Sequence, residues 1–174
     1  IAIRGGNPPS APLGYFLQAP FVNTLGYSAV WARLPSALCS LLCCLVLVLL
    51  VRRLQMRWAA VALAVFMTLP IQLRYALEAG PYSLALFLSV LATVLARRVV
   101  DCPRALWTIL YAFVAVLGVY AVPVLIFVPL AHFAWATWAF RGTERWRALV
   151  RIGLGIGAAV ASNLSHFEFT WQTP

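Results

Sequence analysis

The sequence predicts an all-α protein: a polytopic bundle of about six transmembrane helices, with an interfacial segment on the outer side at its N-terminus. Of its 174 residues, 64% are hydrophobic and 10% are charged, and the mean hydropathy is +0.92. Soluble domains have about 45–50% apolar and about 25% charged residues, so this chain has too few polar groups to cover its surface. The composition excludes a soluble enzyme, a disordered tail and a disulfide-stapled secreted domain.

Runs without charged residues locate the predicted helices. A span needs roughly 17–25 apolar residues, because the hydrocarbon core is about 30 Å thick. The run from Ala105 to Phe140 is too long for one helix, so a break is expected near Tyr120 to Pro123, where proline removes a backbone donor. The predicted bundle covers 34–167, with spans at about 34–51, 58–74, 80–96, 105–120, 122–140 and 151–165, and residues 168–174 begin the next outer loop.

The basic residues predict how the helices are oriented. All 13 are arginines, and ten of them fall in three clusters on one side of a six-span arrangement. Short basic loops stay in the cytoplasm, so this side is predicted to be inside, in a multi-pass protein of the inner (plasma) membrane. Because the clusters sit in short loops at helix ends, they indicate membrane lipid as a partner and exclude nucleic acid. The ten are Arg52, Arg53, Arg57, Arg97, Arg98, Arg104, Arg141, Arg145, Arg147 and Arg151.

Residues 1–33 are predicted to be the end of an extracytoplasmic loop. Glycines and prolines interrupt this segment, and its apolar stretch from Leu13 to Val22 is too short to span. It is expected to form a helix or a re-entrant piece at the outer interface, where aromatic rings such as Phe16 suit the headgroup level. Since the chain opens with Ile1 rather than Met, we expect it to belong to a longer chain with at least one upstream span.

Several residues that carry chemistry in other proteins have a structural interpretation here. The four cysteines lack the paired spacing of a zinc site, so no metal site and no cofactor are predicted. His132 lies in an apolar span and is expected to be a hydrogen-bonded packing residue, and Asp101 is expected to pair with a neighbouring arginine. Three glycines of the last span are expected to allow close helix packing. These are Gly153, Gly155 and Gly157.

Ionisable residues on the predicted outer side are the candidates for function, because such groups are costly near membrane depth. Arg74 and Glu78 are four residues apart, so on a helix they share a face. One interpretation is a salt-bridged helix end. The other is a pocket at the outer leaflet, where Arg33 and Arg74 hold a lipid phosphate, because guanidinium groups match phosphate oxygens with forked donors. Tyr82 flanks this pocket, and no catalytic residue is assigned within the chain.

Four segments follow one another in an informative order: NPPSAPLGYFLQAPF, ARLPSAL, an arginine pair, and LRYALEAGPYSLALFL. This order resembles the bacterial GT-C glycosyltransferases, polytopic enzymes related to the protein O-mannosyltransferases and the lipid A aminoarabinose transferases. The resemblance covers roughly residues 7–140. The matching positions are Pro8, Pro9 and Tyr15; then Arg33, Leu34, Pro35 and Ser36; then Glu78, Ala79, Pro81, Tyr82, Ser83 and Leu84.

The resemblance implies an integral membrane glycosyltransferase. It would transfer a sugar from a polyprenyl-phosphate-linked donor to a glycan, lipid or protein acceptor on the outer face of the membrane. The family's catalytic Asp lies in the first outer loop and is expected upstream of Ile1. Two positions depart from the family pattern: Gly80 stands where Arg is usual, and Val122 stands where many members have His.

Two other classes of protein are alternatives. A transporter or flippase often carries broken helices and mid-membrane polar groups, whereas the polar residues here collect at the outer edge of the predicted bundle. A non-catalytic membrane assembly subunit is favoured by Gly80, which replaces the family's arginine.

Overall fold

The protein is almost entirely helical in the part of the chain that the computed structural model describes, which is residues 12–26, 28–51, 61, 64–66, 68–77, 80–102, 104–139 and 142–171. These residues contain no strand, so the predicted all-α fold is confirmed. The helices are α1 (Pro12–Leu25), α2 (Ala29–Val51), α3 (Pro70–Leu77), α4 (Tyr82–Asp101), α5 (Ala105–Ala121), a 3-10 helix (Pro123–Ile126), α6 (Phe127–Ala139) and α7 (Gly142–Trp171).

Two of the described helices are long and apolar enough to cross a membrane. These segments are Val30–Val48 within α2 and Tyr82–Asp101, the whole of α4. Three further apolar helical segments have 10–17 residues: Ala105–Ala121, Pro123–Trp138 and Leu149–Ala161. Two helices of this length and hydropathy support association with a membrane. They do not show the six spans that the sequence predicts.

The chain breaks just before Pro123, where the sequence predicts a break. α5 ends at Ala121, Val122 is extended (φ −151°, ψ 118°), and the 3-10 helix begins at Pro123. The proline has no N–H to continue the ladder, while the Val122 N–H still donates to Gly118 O at 3.0 Å. The predicted break near Tyr120 to Pro123 is therefore confirmed.

The predicted span at 58–74 contains a second break. Residues 52–60 lie outside the described part of the chain, and residues 64–66 are helical. Leu69 is not helical, and α3 begins at Pro70. A proline is well placed at the first position of a helix, because the N–H that it lacks would have no partner there. The described part of this segment is thus two short pieces.

The core lies between α4, α5, α6 and α7. On α4 the buried residues that belong to this core are Leu88, Ala92, Leu95, Ala96 and Val99, and their spacing places them on one helix face. They pack against buried residues of the other three helices. These are Tyr111 and Val114 of α5, Ala136 of α6 and Ile152 of α7.

Gly155 allows α7 to approach α5 closely. A Cβ atom added at Gly155 would lie 2.5 Å from Tyr111 Cε1, closer than packed carbon atoms allow, whereas a Cβ at Gly157 would meet no atom of the described residues within 4 Å. The predicted packing role of the glycines is therefore confirmed at Gly155, against the ring of Tyr111.

Large apolar side chains also cover the outside of the molecule. Trp138 is 87% exposed, Phe16 75% and Trp146 71%. Only 28% of the apolar window in α2 and 39% of that in α4 is buried inside the protein. Exposed apolar surface of this extent marks a face that contacts lipid or another protein.

Candidate functional site

Segments that are far apart in sequence meet at the start of α4. The Ser36 hydroxyl of α2 donates a hydrogen bond to the Gly80 carbonyl at 3.3 Å. Ser36 belongs to the ARLPSAL segment, and Gly80 belongs to the turn that leads into α4. This contact spans 44 positions of the sequence and fixes the beginning of α2 beside the beginning of α4.

A small cavity lies at this junction, with room of about 10 Å³, which one water-sized oxygen atom fills. Polar groups of Ser36, Ser83 and Gly80 line it together with apolar side chains of three helices. Ser36 is 3% exposed and Ser83 is 1% exposed. The complete lining is Leu17, Gln18, Pro35, Ser36, Cys39, Gly80, Ser83 and Leu84.

The Ser83 hydroxyl is buried without a hydrogen-bond partner in the described structure. A helical serine often donates to the carbonyl four residues earlier, as Ser89 does to Ala85 at 2.8 Å. Ser83 is the second residue of α4, so no complete helical turn precedes it. Leaving a buried donor unpaired costs about 1–3 kcal/mol, which makes Ser83 a candidate for contact with a ligand.

The four residues predicted for the phosphate pocket are described in part. Arg33 in α2 and Arg74 in α3 are both exposed, and they lie on helices that pack against each other. The ring of Tyr82 stacks on that of Tyr75, with centroids 4.9 Å apart and planes at 21°, so the end of α3 is held against the start of α4. Glu78 lies outside the described residues, and its predicted pairing with Arg74 stays a prediction.

Arginines gather at the opposite end of α4. Arg98 lies over the Trp107 ring at 5.8 Å, and Arg151 donates to the Val99 carbonyl at 3.5 Å. Arg97 pairs with Asp101 at 3.9 Å, which confirms the ion pair predicted for Asp101. The ends of α4, α5 and α7 therefore bring parts of two predicted arginine clusters together, about a helix length away from Ser83.

His132 is the centre of a buried hydrogen-bonded network. Its Nε2 lies 3.1 Å from Thr93 Oγ1, and its Nδ1 lies 3.2 Å from the Tyr111 hydroxyl. The Thr93 hydroxyl donates to the Ser89 carbonyl at 2.9 Å, so it accepts from His132. We therefore assign the proton to Nε2, and Nδ1 accepts from Tyr111. This confirms the predicted hydrogen-bonded packing role of His132.

The sequence alone does not reveal which residues bond to His132 or which residue stays unpaired in the cavity at the start of α4. Tyr111 and Thr93 lie in separate apolar helices, and in the sequence Ser83 is one position of the segment LRYALEAGPYSLALFL. The available signal was that each is a polar residue within an apolar run, where an unpaired polar group is costly.

The described residues include no group of three or more His, Cys, Asp or Glu side chains that could hold a metal ion. The four cysteines form no disulfide among the described residues, and two of them, Cys39 and Cys43, are buried in α2. In that position they act as small apolar residues.

The fold and this junction define an apolar, all-helical protein with a small polar cavity at one end of a potential membrane span and arginines at the other. Comparisons of the chain with family models, with curated proteins and with solved structures find no match.

Proposed function

We propose that the chain is part of an integral membrane glycosyltransferase of the GT-C type, which takes a sugar from a polyprenyl-phosphate-linked donor at the outer face of the membrane. One observation carries the proposal. Three of the four segments on which the family resemblance rests line one cavity, through Gln18, Ser36 and Ser83. Segments that form one site are expected to converge in this way, whereas unrelated chance matches are not.

The surface of the protein supports placing this site in a membrane. Two helices have the length and hydropathy of spans, and large apolar side chains such as Trp138 and Phe16 face outward. The arginines lie at the end of α4 that is remote from the cavity. On the positive-inside rule, that end is cytoplasmic and the cavity is at the outer leaflet.

The chemistry of the transfer fits the residues around the cavity. The bond between the sugar C1 and the phosphate oxygen breaks, the acceptor oxygen bonds to C1, and polyprenyl phosphate leaves. Arg33 and Arg74 would stabilise the charge that develops on the phosphate, and Tyr82 and Glu78 are the other two residues that the sequence predicts for this pocket. A base must take the proton from the acceptor hydroxyl, and we assign that role to no residue of this chain.

The network around His132 argues against a transport route through the bundle. Both ring nitrogens of His132 have hydrogen-bond partners within the protein, and the Thr93 hydroxyl is engaged on both sides. A route for a polar substrate needs polar groups that can exchange partners with it. In this network the polar groups of Thr93, Tyr111 and His132 are hydrogen-bonded within the protein.

The test uses the full-length protein in proteoliposomes with polyprenyl-phosphate-linked sugars, and it measures release of polyprenyl phosphate. Arg33→Ala and Arg74→Ala are each expected to reduce release by about 10- to 100-fold, the effect of losing a charge-assisted hydrogen bond. The matched control is Arg97→Ala at the other end of α4, which should release polyprenyl phosphate at the wild-type rate. Wild-type rates in both Arg33→Ala and Arg74→Ala would refute the assignment.

A further measurement separates the alternatives. Movement of the lipid-linked sugar between leaflets without release of polyprenyl phosphate would identify a flippase. Neither release nor movement, in a protein that is folded, would identify a non-catalytic subunit.

A further inference from the structure

The cavity at the start of α4 contains hydrogen-bond donors that have no acceptor in the described structure. Ser36 already donates to the Gly80 carbonyl, whereas Ser83, at 1% exposure, has no partner in the described structure. The first N–H groups of a helix also have no intrahelical acceptor. In α4 the Ala85 N–H donates to the Pro81 carbonyl at 2.9 Å, so the N–H groups of 82, 83 and 84 precede the first helical bond.

The electrostatic setting favours a negatively charged ligand. The N-terminus of a helix carries a partial positive charge, and α4 has 20 residues. Arg33 precedes Ser36 by three positions on α2, so the two residues are neighbours on one helix face. Ser36 lines the cavity, and Arg33, whose side chain is exposed, lies about one helical turn before it, toward the start of α2.

The size of the cavity limits what can enter. Room of about 10 Å³ accepts a single oxygen atom, and the cavity is partly open to its surroundings. The ligand must therefore offer one acceptor oxygen to the interior of the cavity. Its remaining charge must stay outside, near Arg33. A phosphate group has this shape and charge.

We propose that this cavity receives one oxygen of a phosphate group, with the Ser83 hydroxyl donating to that oxygen and Arg33 binding the phosphate from outside. That the phosphate belongs to a polyprenyl lipid rests on the proposed function. The same donors would bind inorganic phosphate, so the two sources are distinguished by experiment.

The experiment measures the affinity of the full-length protein in lipid nanodiscs for polyprenyl phosphate, for inorganic phosphate and for polyprenol. Ser83→Ala is expected to weaken binding of polyprenyl phosphate by about tenfold, the effect of losing one hydrogen bond to a charged group. The matched control is Ser40→Ala, because Ser40 is also a buried serine without a partner in the described structure but does not line the cavity. Its affinity should equal that of the wild type.

Stability without ligand shows that the variant is folded. Ser83→Ala removes a buried unpaired hydroxyl, so its melting temperature should not fall below that of the wild type. Ser83→Cys provides a second variant of similar size with a weaker donor, and its affinity should lie between those of Ser83→Ala and the wild type.

The outcomes separate this inference from the proposed function. Wild-type affinity in Ser83→Ala, together with weak binding in Arg33→Ala, would overturn the Ser83 contact and leave the function standing. Ser83-dependent binding of inorganic phosphate without binding of the lipid would support the contact and refute the lipid donor. Equal affinity for polyprenol and polyprenyl phosphate, or an equal loss in Ser40→Ala, would overturn the inference.

Discussion

Replacing Gly155 by alanine should destabilise the protein through a single, locatable clash. The added Cβ would lie 2.5 Å from Cε1 and 2.7 Å from Cδ1 of Tyr111. Tyr111 is fully buried, and its hydroxyl is held by His132 at 3.2 Å. The ring therefore cannot move away without losing that hydrogen bond, so α7 must shift or the bond must break.

The expected size of the effect follows from three contributions. Overpacking a tight core costs about 1–3 kcal/mol, and losing the hydrogen bond between Tyr111 and His132 costs about 1 kcal/mol. Alanine gains about 1 kcal/mol over glycine within a helix. The net expectation for Gly155→Ala is a loss of about 1–3 kcal/mol in the free energy of unfolding.

The assay is equilibrium unfolding of the wild type and the variants in detergent micelles, with Gly157→Ala as the matched control. A Cβ at Gly157 meets nothing within 4 Å, so this variant should be neutral or more stable by up to about 1 kcal/mol. In a Tyr111→Leu background the ring is absent, and Gly155→Ala should no longer destabilise. Equal stability of Gly155→Ala and Gly157→Ala would refute the close approach of α7 to Tyr111.

Three further predictions concern the network, the cavity and the topology. Tyr111→Phe should lower the free energy of unfolding by about 1 kcal/mol. Adding His132→Leu should recover part of that loss, because both polar partners are then removed. If both variants are as stable as the wild type, the network is contradicted. Gly80→Arg should bind polyprenyl phosphate about tenfold more tightly than Gly80→Met. A side chain fits at this position, because among the described residues a Cβ there meets Tyr82 alone, at 3.5 Å or more. Equal affinities of the two variants contradict the placement of the phosphate near Gly80. In a background without native cysteines, an impermeant maleimide should label Arg33→Cys in intact cells and Arg104→Cys only after permeabilisation, and labelling of both in intact cells contradicts the topology.

The sequence was sufficient to predict features that depend on local chemistry. Absence of charge over long runs predicted helices, and Pro123 predicted the break after Ala121. The stretch from Leu13 to Val22 falls within α1, Pro12–Leu25. Each of these features depends on a residue and its near neighbours, so one sequence carries the necessary information.

Features that depend on packing between helices could not be predicted. Thr93 and Tyr111 lie 39 and 21 positions from His132, so nothing local pairs them. Spacing alone does not separate Gly155 from Gly157, because only the neighbouring helix decides which one meets a ring. The number of spans could not be predicted either, because a charge-free run does not specify where its helix ends. The break at Leu69, within the predicted span 58–74, illustrates this.

The direction in which α4 crosses the membrane decides which leaflet the cavity faces. With 20 residues, α4 is about 30 Å long, the thickness of the hydrocarbon core. Its N-terminal donors at Ser83 and its C-terminal arginines, Arg97 and Arg98, would then lie at opposite interfaces. The arginines complement the negative C-terminal end of the helix, and the donors leave the positive N-terminal end to an anion. A phosphate at Ser83 is accessible from the outer leaflet only if α4 crosses in this direction. If Arg104→Cys is labelled from outside and Arg33→Cys is not, the cavity faces the cytoplasm, and a donor lipid there would belong to a different reaction.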